Sequence, residues 1–241
     1  MKNILKLLIM KVIAGGAKFP EASISRAVEL MQLKILLDQE RINCVLDVGA
    51  NKGQFASDLR GIGYSGSIIS FEPVSREFGP LSESVKGDRQ WRGVQLALGS
   101  FNGSATINIL PELTGWSSIL QPATGWRATE TEDIEVRRLD EVLGGLLPAS
   151  MAPRVLLKMD TQGYDLSVFE GAKGCLPLIC ALQSELSVVP LYKGMPHYIE
   201  ALTAYEAQGF DLFHLAVESR SKGSGLQEMN CLMRRNRNIV R

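Results

Sequence analysis

Histidine is nearly missing from this chain of 241 residues, with two copies, and cysteine is sparse, with four. Cys175 and Cys180 do not have the C-x-x-C spacing of zinc and redox motifs, and Cys44 and Cys231 sit in apolar runs. These thiols leave little for metal chemistry and read as buried, reduced side chains of a cytoplasmic protein. Neither sign of charge is in excess, since Lys plus Arg equals Asp plus Glu at 26 each. A nucleic-acid partner, which would show as a basic surplus, gets no support. No apolar run approaches the roughly 20 residues that cross a bilayer, so no transmembrane segment is expected. Lys6 and Lys11 interrupt the first apolar stretch, which disfavours a secretory signal despite the small residues Ala14-Gly15-Gly16-Ala17. The early lysines do not share one helical face, and a peripheral contact with a membrane surface is left open. Internal repeats and low-complexity tracts are also missing. What remains, 45% apolar and 22% charged residues, is ordinary for a globular protein with a full core.

The pattern divides the chain into a helical arm over residues 1–42 and a domain over 43–241. In the arm, Met1 to Ala14 reads as one helix stopped by Gly15-Gly16. Ser23 to Gln39 reads as a second, with Ile24, Ala27, Val28, Met31, Ile35 and Leu36 at helical spacing. From Asn43 onward short apolar strands alternate with helices. Strands are expected at Cys44–Val48, Ser67–Phe71, Val94–Leu98, Ser104–Leu110, Ile134–Leu139, Arg154–Met159, Ala181–Leu186, Phe210–Ala216 and Gln227–Met233. Helices are expected at Phe55–Gly61, Leu166–Lys173 and His197–Gln208. This alternation implies an α/β fold, a mainly parallel sheet with helices on both faces.

Ligands of such sheets bind beyond the carboxyl ends of the strands. The residues found there are Asp47 with Gly49-Ala50-Asn51-Lys52-Gly53, then Glu72, Ala97-Leu98, Asp160 and Glu185. The first loop has neither the G-x-G-x-x-G of dinucleotide enzymes nor a phosphate loop. Gly49 permits a tight turn and close approach of a ligand to the backbone. The carboxylate of Asp47 beside it repels a diphosphate and tolerates a cationic ligand. Glu72, at the end of the next strand, suits the two hydroxyls of a ribose. Together these residues favour a phosphate-free, cationic nucleoside such as S-adenosylmethionine. Asp160 has an alternative reading as a helix cap. His197 reads as a surface residue and His214 as a structural one. Trp116 and Trp126, around Ser117-Ser118, are equally suited to stacking on a sugar ring or to ordinary packing.

Val45-Leu46-Asp47-Val48-Gly49-Ala50-Asn51-Lys52-Gly53, Phe71-Glu72-Pro73 and Leu157-Lys158-Met159-Asp160-Thr161-Gln162-Gly163-Tyr164-Asp165 together resemble the FkbM family of S-adenosylmethionine-dependent methyltransferases. The likeness runs from about Asn43 to Arg235 and takes in Ser117-Ser118, Leu139-Asp140 and Phe169-Glu170-Gly171-Ala172. It departs from the family pattern at Gln162 and Asp165, where Glu is usual, and at Asn230, where Asp is frequent. The resemblance implies a class I methyltransferase (Rossmann-like) fold, with a seven-stranded sheet whose last strand is antiparallel. It also implies O-methylation of a hydroxyl, commonly on a sugar of a glycan, glycolipid or secondary metabolite. On matching positions it assigns Asp47, Gly49, Asn51 and Gly53 to the methionine part of the cofactor, Glu72 to its ribose and Ala97-Leu98 to its adenine. Asp160 then acts as base or orients the acceptor, with Glu185 as the second candidate. Asp160 and Glu185 could also present oxygens to Mg²⁺, which the amide of Gln162 disfavours. Two alternatives stay in view: a nicotinamide-dependent oxidoreductase, and a non-catalytic domain that binds a nucleoside.

Overall fold

Short runs of branched and aliphatic residues, bounded by polar or glycine-containing turns, form strands buried on both faces. Cys44–Val48 (β1), Ser67–Phe71 (β2) and Val155–Met159 (β7) lie in parallel, with Val45 opposite both Ile68 and Leu156. A computed structural model describes residues 21–110, 114–123, 128–148, 150–220 and 225–236. The helix expected at Met1 to Ala14 and Trp126 lie outside the described residues. Trp91–Val94 (β3), Ile179–Ser187 (β8), Phe210–Arg220 (β9) and Leu226–Arg235 (β10) complete a seven-stranded sheet in the order β3-β2-β1-β7-β8-β10-β9. All pairings are parallel except those of β10, which is antiparallel to both β8 and β9. That order and the antiparallel last strand are the class I methyltransferase arrangement expected from the resemblance.

Alternate residues of each strand feed two cores. Leu46, Phe71, Leu157 and Leu182 face one side, under the helices Leu139–Leu146, Asp165–Gly171 and Tyr198–Ala207. Val45, Ile68, Leu156 and Ala181 face the other, under Glu21–Gln39 and Gln54–Gly61. The described part of the expected arm is thus built into the domain: Leu33, Leu36 and Leu37 are buried, and Ser25 Oγ donates to the Val217 carbonyl of β9 at 2.7 Å. The face it buries differs from the expected one. Ile24, Val28, Met31 and Ile35 are exposed, whereas the charged Glu29 points inward. Glu29 is tolerated there because Arg26 Nη1 and Gln183 Nε2 each donate to it at 2.8 Å.

The strand expected over Val94–Leu98 is two strands. It splits after β3, and Ala97–Leu98 (β4) joins a separate three-stranded sheet with Gly103–Ile109 (β5) and Glu130–Arg137 (β6), in the order β4-β6-β5. Two helices were not anticipated. Ser75–Ser84 contains Gly79 and Pro80, and Leu139–Leu146 contains a glycine pair, so residues that ordinarily interrupt helices hid both. No helix among the described residues is long and apolar enough to cross a membrane.

Candidate functional site

A polar row crosses the middle of the apolar sheet. Ser70, Asp47, Lys158 and Gln183 occupy matching positions on β2, β1, β7 and β8 and point to the same face. The Trp91 indole donates to Ser70 Oγ at 3.0 Å, and Ser70 Oγ donates to Asp47 Oδ2 at 3.1 Å. Lys158 Nζ lies 3.0 Å from Asp47 Oδ1 and 3.4 Å from Asp160 Oδ2, and donates to the Gly49 carbonyl at 3.2 Å. Burial would push the lysine pKa down, but Asp47 and Asp160 outweigh it and raise it, so the ammonium is permanent. Asp47 is 0% exposed and lines neither cavity described below. Its charge is met inside the sheet by Lys158.

The loop after β1 approaches the loop after β7 very closely. A Cβ built on Gly49, at φ +74°, would come within 2.0 Å of the Asp160 carbonyl oxygen. Asn51 also adopts positive φ, and its amide donates to Glu72 Oε2 at 2.8 Å while the Val74 amide donates to Oε1 at 2.9 Å. Burial raises the Glu72 carboxyl to about 7, against the pull of those two amides and with the charge of Glu77 adding to it. Gly53 turns away from the cavities. It packs on the Trp91 ring, where a Cβ would meet carbon at 2.6 Å, so this turn leaves no room for a side chain.

Two cavities meet at Gly49, Asn51, Gly115 and Asp160. The first is a largely apolar cleft between the main sheet and the small one, lined by Phe71, Leu96, Ala97, Leu98, Ile107 and Ile134, with Glu72 at its side. Of the expected cofactor residues, Gly49, Asn51, Glu72, Ala97 and Leu98 gather here. Ser117, Ser118 and Ile119 cover it, and Ser118 Oγ donates to the Gln162 carbonyl at 2.8 Å. The second cavity is a polar chamber bordered by Asp160, Gln183, Glu185, Glu218, Lys158 and Arg26.

Asp160 does not cap the following helix. Tyr164 stands at that cap, and Asp165 accepts from the Thr161 amide at 2.9 Å. The Asp160 side chain is 43% exposed, between Lys158 and the open space. Gln162 joins the two expected catalytic carboxylates, its Nε2 lying 2.9 Å from Glu185 Oε2 and 3.4 Å from Asp160 Oδ1. The Tyr192 hydroxyl lies 2.6 Å from the Trp116 carbonyl and 3.2 Å from Gln162 Oε1, tying this pair to the covering loop. Burial, then the charges of Asp160 and Glu228, hold the Glu185 carboxyl well above the usual range. Among the described residues no group of three or more His, Cys, Asp or Glu is arranged to hold a metal ion. His197 caps its helix from the surface side, its amide donating to Glu200 Oε2 at 3.2 Å. Sequence reasoning missed Gln183 and Glu218; only their two-residue stagger along strands from Glu185 and Ala216 hinted at a shared face.

A family model described as the methyltransferase FkbM domain matches residues 47–212. Among curated proteins the chain is similar to methyltransferase sdnD of Sordaria araneosa, at 27% identity over 53% of this chain and 59% of that protein. The chain therefore spans about three-fifths of that relative's length. Among solved structures it is similar to an rRNA methylase from Streptococcus thermophilus, with a TM-score of 0.47 at 10% identity, covering 87% of this chain and 95% of the other. It is also similar to Aeropyrum pernix fibrillarin in complex with natively bound S-adenosyl-L-methionine, with a TM-score of 0.46 at 11% identity, covering 79% of this chain and 66% of that one.

Proposed function

Since the chain belongs to the FkbM methyltransferase family, we propose that it methylates a hydroxyl of a sugar-containing acceptor, with S-adenosylmethionine as donor. The observation that carries this is the meeting of an apolar, Glu72-flanked cleft with a polar chamber at Asp160. The residues fit the cofactor: a carboxylate for the ribose, an apolar slot between Leu98, Ile107 and Ile134 for the adenine, and a Gly49 turn whose missing side chain leaves the backbone open. When bound, S-adenosylmethionine supplies a methyl group on a sulfonium, which the acceptor oxygen takes in line as the sulfur keeps the bonding pair.

The protein's share is alignment and proton removal. Gly49 and Asn51 hold the floor of the junction, and the covering loop at Ser117-Ser118 keeps bulk water from it. Asp160, held by Lys158 Nζ at 3.4 Å and half open to the chamber, accepts the hydroxyl proton as the new C–O bond forms. Gln162 fixes Asp160 and Glu185 relative to each other without adding a third charge.

Thermal-shift titration tests the cofactor half. S-adenosylhomocysteine should stabilise the protein and NAD should not, whereas the reverse would return the oxidoreductase reading. Transfer of labelled methyl from S-adenosylmethionine across a panel of sugars and glycolipids tests the acceptor half. Asp160→Asn should abolish turnover and leave S-adenosylhomocysteine affinity nearly intact; full activity would remove Asp160 from the reaction.

A further inference from the structure

The polar chamber has an unusual charge arrangement. Three basic side chains border it, and each is engaged by acids other than Glu185 and Glu218. Lys158 lies between Asp47 and Asp160. Arg26 spans Glu29 and Asp58. Lys52 pairs with the buried Glu77 at 3.5 Å. Glu185 receives one amide donor from Gln162, and Glu218 receives one from Asn230 Nδ2 at 2.9 Å. Asn230 stands opposite Glu185 in the β8–β10 pairing, so the two carboxylates flank one asparagine on neighbouring strands.

A second observation points the same way. Gln183 borders the chamber two residues before Glu185, on the same face of β8, and is 3% exposed. Its Nε2 donates to Glu29 at 2.8 Å, which fixes the orientation of the amide because the reverse would set two acceptors against each other. Its Oε1 is then buried with no hydrogen-bond partner among the described residues. An orphaned buried acceptor is costly and calls for a partner, whether a water, an ion or a ligand donor. The chamber thus presents acceptors that receive few donors from the protein, and the positive charge that reaches Glu218 is that of Arg26, which Glu29 and Asp58 already share.

We propose that the acceptor entering this chamber carries an ammonium group, taken by Glu185 and Glu218 within reach of Gln183 Oε1, beside the hydroxyl that is methylated. The proposal rests on the methyltransferase reading above and narrows its acceptor to amine-bearing, polyhydroxylated compounds. The rival claimant for these acids is the ammonium of the cofactor itself. Loading the protein with S-adenosylhomocysteine, which carries that same ammonium, separates the two.

The experiment titrates glucosamine, N-acetylglucosamine and glucose into S-adenosylhomocysteine-loaded protein, followed by calorimetry at a pH where the glucosamine amine is protonated. A cation between Glu185 and the more exposed Glu218 should bind about tenfold or more tighter than its neutral counterparts. Glu218→Gln, which keeps an acceptor for Asn230, should abolish that preference while S-adenosylhomocysteine affinity holds. Equal affinities, no binding of any of the three sugars, or a preference that survives in both Glu218→Gln and Glu185→Gln overturns the proposal. Failure of the protein to bind S-adenosylhomocysteine at all would instead remove the methyltransferase reading on which it rests.

Discussion

Gly49 and Glu72 shape the apolar cleft in different ways. At Gly49 the constraint is steric, because the positive φ and the 2.0 Å approach to the Asp160 carbonyl both forbid a side chain. Gly49→Ala should pay the left-handed penalty of roughly 1–2 kcal/mol plus the displacement of the β7 loop. It should weaken S-adenosylhomocysteine binding far more than Gly63→Ala, a positive-φ glycine whose Cβ position is open. At Glu72 the constraint is electrostatic. The folded protein holds its proton between 4.5 and about 7, where the unfolded chain has released it, so this residue's stabilising share is present at low pH and lost as pH rises through about 7. An ionised carboxylate accepts ribose hydroxyls more strongly than a protonated one. Affinity for S-adenosylhomocysteine should therefore climb with pH and level off above about 7. Glu72→Gln should bind more weakly and without that slope, and a flat wild-type profile would show that Glu72 does not meet the ribose. Gly49, Asn51 and Glu72 were legible in the sequence because each follows an apolar run directly. The pairing of Asp47 was not, since nothing local shows that Lys158, more than a hundred positions away, meets its charge.

Strands explain both that oversight and the coherence of the site. The runs around Asp47, Ser70, Lys158 and Gln183 read as uniformly apolar strands, yet parallel pairing aligns their polar members into one row under the helices. Pairing register is a long-range property, so the row emerges only when the sheet is assembled. Removing one partner of a buried ion pair typically costs about 3–5 kcal/mol. Lys158→Ala should lower unfolding stability by that order in urea titrations, more than Lys34→Ala at an exposed pair. The helix Glu21–Gln39 shows the same limit of local pattern. Its more exposed face is itself apolar at helical spacing, and it is the contact with β9 that selects Leu33, Leu36 and Leu37 for burial. Leu36→Ala should cost about 2–5 kcal/mol, whereas Met31→Ala, on the exposed stripe, should change stability little. Equal effects would mean that the helix does not pack as described.

Across the whole molecule, the order of the seven strands brings the four loops after β1, β2, β3 and β7 to one edge, and the small β4-β6-β5 sheet adds the second wall of the cleft. The alternation of strands and helices made the main sheet legible. The small sheet was hidden because Ala97–Leu98 is a two-residue strand that continues the texture of its predecessor. The polar chamber was only half legible: Gly49 to Lys52 and Lys158 to Asp160 belong to recognisable motifs, whereas Arg26, Gln183, Glu218 and Asn230 come from elements without one. A crystal structure with S-adenosylhomocysteine tests the central claim most directly. Its ribose hydroxyls should lie within hydrogen-bond distance of Glu72, its adenine between Leu98 and Ile134, and its sulfur toward Asp160. A nucleoside bound away from that cleft, or one whose sulfur faces away from the chamber, would contradict it.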